Sequence, residues 1–153
     1  MTIGNAASHA IVFALAVLAS AIVASIVQTQ FNLAELVRLG APITPGIRLE
    51  TTLADILHFG PVMAAIVAAA FLPAFLVAFL VSRMSPVPRI PLYALAGVAG
   101  LFAAFMLMDL FTPMPTLVAA ARGPVGLLAL TLTGSIGGAL FAILSGRRSS
   151  QGA

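Results

Sequence analysis

Hydrophobic residues fall into four long runs that are separated by short polar stretches. The runs cover residues 10–27, 61–81, 90–111 and 125–145. A bilayer core of about 30 Å is crossed by about 20 apolar residues of α-helix. None of the runs contains lysine, arginine or glutamate, and Asp109 falls in the last turn of the third. The pattern predicts an all-α integral membrane protein, a bundle of four transmembrane helices.

The first run has to be compared with a secretory signal peptide, because Ala19-Ser20-Ala21 has the small residues of a cleavage site. Residues 1–9 contain no lysine or arginine, and the apolar run continues beyond this tripeptide. A signal peptide normally has a basic start and turns polar after the cleavage site. We therefore expect a retained transmembrane helix.

The connection between the first two runs contains two matching segments, 32–40 and 52–60. Each has a helix-capping residue, an acid three positions later and a final glycine: Asn32, Glu35 and Gly40 in the first, Thr52, Asp55 and Gly60 in the second. These are capping-box and C-terminal glycine signals. They predict short amphipathic interfacial helices over 33–39 and 53–59, on the extracytoplasmic side, with a type II turn at 44–46. A third short helix is expected over 117–122.

Small residues recur at every fourth position in the spans, most regularly in the last one, as Gly134, Gly138, Ala142 and Gly146. Close backbone approach drives helix association in lipid, where burial of leucine against leucine gains little. The stripe therefore indicates either packing inside the bundle or a face that docks another membrane protein or a second copy. Pro73, in the middle of the second span, predicts a kink.

Composition strengthens the membrane prediction, because 61% of the residues are hydrophobic and 7% are charged. A soluble domain has about 25% charged residues. The loop between the second and third spans contains Arg83 and Arg89, and the tail contains Arg147 and Arg148. The other side contains three arginines, Arg38, Arg48 and Arg122. With four arginines against three, the positive-inside rule predicts that both termini lie in the cytoplasm, with residues 147–153 expected to be a disordered tail. The few, scattered arginines give no reason to expect nucleic acid as a partner.

Reactive side chains converge in the sequence only at the extracytoplasmic mouth. Asp55 and His58 stand three residues apart, and Asp109 ends the third span on the same side, so the three are weak candidates for a metal site. The alternative is that Asp55 caps a helix and His58 is its ion-pair partner. No HxxxH or HxxEH spacing occurs, nor does any nucleophile set or phosphate loop. We expect no catalytic residue and no cofactor.

No charged residue lies near the middle of a span, which argues against an ion-coupled carrier. The leading hypothesis is a non-enzymatic accessory or scaffold subunit of a bacterial inner-membrane complex, in contact with lipid and with another membrane protein or itself. The alternative is a homo-oligomeric channel or passive small-solute transporter, lined by the fourth span and gated at Pro73. A third hypothesis is an extracytoplasmic metal- or lipid-binding membrane protein.

Overall fold

The computed structural model describes residues 3–111 and 118–149, with side chains for 7–111 and 118–146. Every element in these ranges is helical, and none of the residues described there forms a strand. The helices are α1 (Ile3–Arg38), α2 (Pro45–His58), α3 (Gly60–Met84), α4 (Arg89–Phe111) and α5 (Pro124–Ser149), and a short 3-10 helix (Ala119–Arg122) precedes α5.

The long helices α1, α3, α4 and α5 are each long and apolar enough to cross a membrane. Each contains one of the four predicted spans, so the expected all-α bundle is confirmed at this level. Large apolar side chains such as Leu72, Leu95 and Leu132 are exposed around the long helices. A helical bundle whose outer surface is apolar, like its core, is suited to contact with lipid. These features indicate a multi-pass membrane protein.

The four long helices pack in the cyclic order α1, α3, α4, α5, and each contacts the two beside it. Neighbours are antiparallel: Phe13 of α1 contacts Phe75 of α3 and Phe141 of α5. One end of the bundle, which we name the α2 end, holds α2, the 3-10 helix and the C-terminal ends of α1 and α4. The opposite end, which we name the His9 end, holds the loop between α3 and α4.

The predicted separate helix over 33–39 is wrong, because α1 runs without a break from Ile3 to Arg38. Asn32 is therefore inside a helix and caps nothing, and Glu35 instead pairs with Arg38 at 3.0 Å on the same helix. No glycine or proline separates the apolar run from Asn32, so nothing in the chain interrupts the helix there. The capping pattern is equally compatible with a helix interior.

The predicted end of this segment is confirmed at Gly40, which has a φ of 89°. The Gly40 N–H donates to the Val37 carbonyl and the Ala41 N–H to the Leu36 carbonyl, both at 3.0 Å. This pair of bonds is the Schellman arrangement, which needs a left-handed residue after the helix.

The second short helix also differs from the prediction of 53–59. It starts at Pro45, because the Thr44 hydroxyl caps it by accepting the Ile47 N–H at 3.3 Å. The expected type II turn at 44–46 is thus a helix start, with proline at the first position, where its missing N–H costs nothing. Thr52 lies inside the helix, and Gly60 begins α3 rather than ending α2 with a left-handed residue.

The last two predicted segments are shorter or more ordered than expected. The helix over 117–122 is a 3-10 helix from Ala119 to Arg122, while Leu117 lies outside the described residues. The chain expected to be disordered from residue 147 continues α5 to Ser149, and residues 150–153 lie outside the described part. Pro73 lies inside α3, and the kink expected there stays a prediction.

Candidate functional site

The glycine stripe of α5 faces α4. A Cβ atom built on Gly138 would lie 2.6 Å from the Tyr93 carbonyl carbon, and one on Gly134 would lie 2.6 Å from that of Gly97. Ala142 is buried, whereas a Cβ on Gly146 would have nothing within 4 Å. Within this bundle the stripe therefore brings two backbones together, and Gly146 lies beyond the contact.

A buried serine joins α1 to α5. The Ser20 hydroxyl donates to the Thr133 carbonyl and accepts the Gly137 N–H, each at 3.0 Å. In an α-helix the N–H of residue 137 is the usual partner of the carbonyl of residue 133, four positions earlier. Ser20 therefore bonds to both members of one backbone N–H and carbonyl pair of α5. The contact fixes the depth of α1 against α5.

Polar side chains converge at the α2 end, between α1 and α2; we name this cluster the polar seam and define it by Thr29, Gln30, Arg48, Thr52 and Asp55. The Thr29 hydroxyl lies 2.7 Å from Asp55 Oδ2 and 2.9 Å from the Ser25 carbonyl oxygen. Both oxygens accept, so the single hydroxyl proton is shared between them. Thr29 is buried, which makes the loss of this bond costly.

The rest of the polar seam is a closed chain of hydrogen bonds. Arg48 donates to Gln30 Oε1 at 2.7 Å, Gln30 Nε2 donates to Thr52 Oγ1 at 3.0 Å, and Thr52 donates back to the Arg48 carbonyl at 2.7 Å. These bonds orient α2 on α1 because each side chain has a definite partner. The seam thus holds the polar face of α2 against α1.

The outward surface of α2 has a row of leucines, and the exposed Glu50 borders this row. Leu49, Leu53 and Leu57, which we name the leucine row, stand four residues apart and are 63%, 54% and 72% exposed. Residues at this spacing share one helix face, and no residue of α2 is buried. The helix is therefore amphipathic in the sense that its polar face packs inward and its apolar face is left open.

The candidate metal ligands do not form one cluster. Asp55 belongs to the polar seam, and His58 Nδ1 lies 2.8 Å from the Ala54 carbonyl oxygen. Asp109 lines a separate small cavity of about 20 Å³ together with Arg122. Within 7–111 and 118–146, no group of three or more His, Asp or Glu side chains is placed to hold a metal ion.

A groove runs between α3 and α4, along the middle of these two apolar helices. It has a volume of about 500 Å³ and is lined by mostly small residues on both helices, including Ala69, Pro73, Ala99 and Ala103. These four are exposed on the bundle surface. Small outward-facing residues are typical of surfaces that accept another transmembrane helix.

The hydroxyls expected to line a channel are bonded within α5. Thr131, Thr133 and Ser135 donate to the carbonyls of Leu128, Leu130 and Leu132, at 2.6–2.9 Å. Such bonds are the ordinary way for a hydroxyl to be satisfied in a membrane helix. The channel hypothesis stays a prediction, and these protons are engaged by the helix itself.

The polar seam is the feature that sequence reasoning missed. Its signal was present: Arg48, Thr52 and Asp55 recur at four and three residues, which is one face of a helix, and Thr29 and Gln30 directly follow the first apolar run. Because the predicted helix covers only 53–59, Arg48 and Thr52 were not recognised as part of the same helix face as Asp55.

No protein-family model, curated protein or solved structure matches this chain.

Proposed function

We propose that the protein is a non-enzymatic accessory or scaffold subunit of a bacterial inner-membrane complex, and that α2 is its docking element. The observation that carries this proposal is the leucine row, which the polar seam holds outward. A helix that is fixed by its polar face and leaves its apolar face open supports docking to an apolar surface of a partner. Both termini are proposed to lie in the cytoplasm, which the arginines around the loop between α3 and α4 support.

The length of α1 supports an extramembrane position for this element. Its 36 residues extend about 54 Å, against a hydrocarbon core of about 30 Å. The apolar part of α1 ends near Val27, and the polar seam starts at Thr29. The end of α1 and the attached α2 are therefore proposed to lie beyond the hydrocarbon core, within reach of the extramembrane surface of a partner.

Covering the leucine row supplies enough free energy to matter for assembly. Full burial of one leucine side chain contributes about 1.5–3 kcal/mol. Since the three leucines are 54–72% exposed, their burial against a partner contributes roughly 3–6 kcal/mol together. Association within a membrane also starts from a restricted orientation, so this amount supports a stable contact. The groove between α3 and α4 offers the same partner a second contact at lipid depth.

Crosslinking in native membranes tests the proposal. With p-benzoylphenylalanine in place of Leu53, illumination is expected to join the protein to one distinct membrane protein in a defined ratio. Leu53→Glu is expected to abolish the copurification of that partner in mild detergent. Leu39→Glu is the matched control, because Leu39 is 83% exposed but lies outside the leucine row.

Three outcomes would contradict this assignment. Adducts with lipid alone would assign the leucine row to the membrane surface. Adducts only between copies of the chain, combined with solute flux in liposomes, would favour the homo-oligomeric channel instead. A partner lost equally with Leu39→Glu would show that charge anywhere at the α2 end, rather than loss of the leucine row, disrupts the complex.

A further inference from the structure

A cavity of about 350 Å³ opens at the His9 end of the bundle, between α1, α3, α4 and α5. Its polar lining comes from three of these helices, as His9, Arg89, Tyr93 and Ser145. The rest of the wall is aromatic or aliphatic: Phe13, Leu72, Phe75, Leu76, Phe79 and Phe141. A mostly apolar concave site with a few converging polar groups is the usual form of a small-ligand pocket.

The floor of this cavity is a packed group of rings. The ring centre of Phe141 lies 4.9 Å from that of Phe75 and 5.3 Å from that of Tyr93, and the Phe75 and Tyr93 centres are 5.5 Å apart. Tilted and edge-on contacts at these distances are favourable and hold the rings in place. The apolar part of the pocket is therefore preformed.

Arg89 stands above these rings, and no acidic side chain of the described residues forms a salt bridge with it. Its Nη2 donates to the Ser145 hydroxyl at 3.2 Å, and its Cζ atom lies 5.8 Å from the centre of the Tyr93 ring. In the described part of the chain, the only salt bridge joins Arg38 and Glu35, at the α2 end. A neutral hydroxyl and a ring face orient the guanidinium without neutralising it.

The distribution of acids favours anions at this end of the bundle. All four acidic residues, Glu35, Glu50, Asp55 and Asp109, belong to the α2 end. The His9 end has Arg83 and Arg89, together with Arg147 and Arg148 of the last turn of α5, and no aspartate or glutamate. A guanidinium presents a planar fork of donors that matches a carboxylate or a phosphate.

We propose that this cavity binds an anionic amphiphile, with its carboxylate or phosphate on Arg89 and its apolar body on the aromatic floor. The exposed side chains of Leu72 and Leu76 continue the apolar wall onto the outer surface of α3, so an acyl chain leaves the cavity along that helix. An anionic phospholipid and a free long-chain carboxylic acid share this chemistry.

The single tyrosine of the chain gives a direct assay. The protein has one tyrosine and no tryptophan, so its intrinsic fluorescence reports on Tyr93 and hence on this cavity. Bromine on an acyl chain quenches a fluorophore only at short range. The protein in detergent micelles is titrated with dibromostearate, with dibrominated phosphatidylglycerol, and with dibrominated phosphatidylcholine as the neutral probe.

Either anionic probe is expected to quench at a concentration at least roughly tenfold lower than phosphatidylcholine does, since a hydrogen-bonded charge is worth that factor or more. Arg89→Gln is expected to remove this preference. Arg83→Gln is the matched control: it removes one charge from the same end of the bundle, near the C-terminus of α3. Arg83 lies over the Phe79 ring at 4.7 Å and does not itself line the cavity. Circular dichroism verifies the helix content of both variants.

The comparison of probes on the unaltered protein does not depend on the folding of any variant. Preferential quenching by both anionic probes would show that the cavity accepts either a carboxylate or a phosphate. Preferential quenching by one of them would show whether the ligand is a free carboxylic acid or an anionic phospholipid. Both results support the proposal. Equal quenching by all three probes overturns it. An equal loss of preference in Arg83→Gln also overturns it, because the effect would then come from surface charge.

Discussion

Replacing Gly138 by alanine tests how closely the backbones of α4 and α5 approach each other. The added methyl group would lie 2.6 Å from the Tyr93 carbonyl carbon and 2.9 Å from Ala94 Cα, whereas ordinary contact is at 3.4–4 Å. Both obstacles are backbone atoms, so no side chain can rotate away. The two helices must separate by roughly an ångström, which weakens dispersion contacts along their shared face.

The expected cost follows from two opposing effects. Overpacking a close contact destabilises by about 1–3 kcal/mol, and the better helix propensity of alanine returns up to about 1 kcal/mol. We expect Gly138→Ala to lower the free energy of unfolding by about 1–2 kcal/mol net. Gly146→Ala is the matched control from the same stripe, because its methyl group meets nothing within 4 Å. It should leave stability unchanged or raise it slightly.

Titration with sodium dodecyl sulfate from mild-detergent micelles, followed by circular dichroism, measures both variants on one scale. A Gly138→Ala protein as stable as Gly146→Ala would refute the reasoning, because it would mean that the stripe does not bring the backbones of α4 and α5 into contact.

Three further predictions concern the α2 end and the orientation of the chain. Thr29→Val should speed hydrogen exchange of the α2 backbone roughly tenfold or more, because the bond to Asp55 is lost. Thr51→Val, outside the polar seam, should not change the exchange rate. Equal protection of α2 in the two variants would show that the polar seam does not hold α2 on α1. The chain has no cysteine, so a single introduced cysteine reports on its own side of the membrane. Leu39→Cys, at the proposed extracytoplasmic end, should react with an impermeant maleimide added to intact spheroplasts, and Ser85→Cys, at the proposed cytoplasmic end, should not. The reverse pattern would contradict the proposed orientation. His58→Ala should leave the zinc content unchanged by elemental analysis, because His58 is not grouped with two other ligands among the described side chains.

Much of the fold was predictable because lipid imposes a simple rule on sequence. Backbone polar groups must bond within their own segment in the hydrocarbon core, so each long apolar run has to be a helix, and its length shows that it can span. The end of a helix was also predictable where a single residue determines it. Gly40, for example, ends α1 with a φ of 89°, a conformation that favours glycine.

Helix boundaries in the polar connections were less predictable, since capping signals are ambiguous. Asn32 with Glu35 and Thr52 with Asp55 have the spacing of a capping box, yet all four lie within helices. Thr44 with Pro45 had the composition of a turn and instead starts α2. Each signal is worth about 1 kcal/mol, which is less than the tertiary contacts that decided the outcome.

The sequence by itself determined that this is a membrane bundle, since 61% hydrophobic and 7% charged residues leave too few charges to cover a soluble surface. Only the tertiary structure decided which faces are used. The glycine stripe, which the sequence assigned to either an inner or an outer contact, lies against α4 at Gly134 and Gly138, whereas the leucine row of α2 is left open. Arg89 joins Ser145 across 56 positions of sequence. Spacing along one helix fixes which residues share a face, but which neighbour that face meets depends on contacts between distant segments.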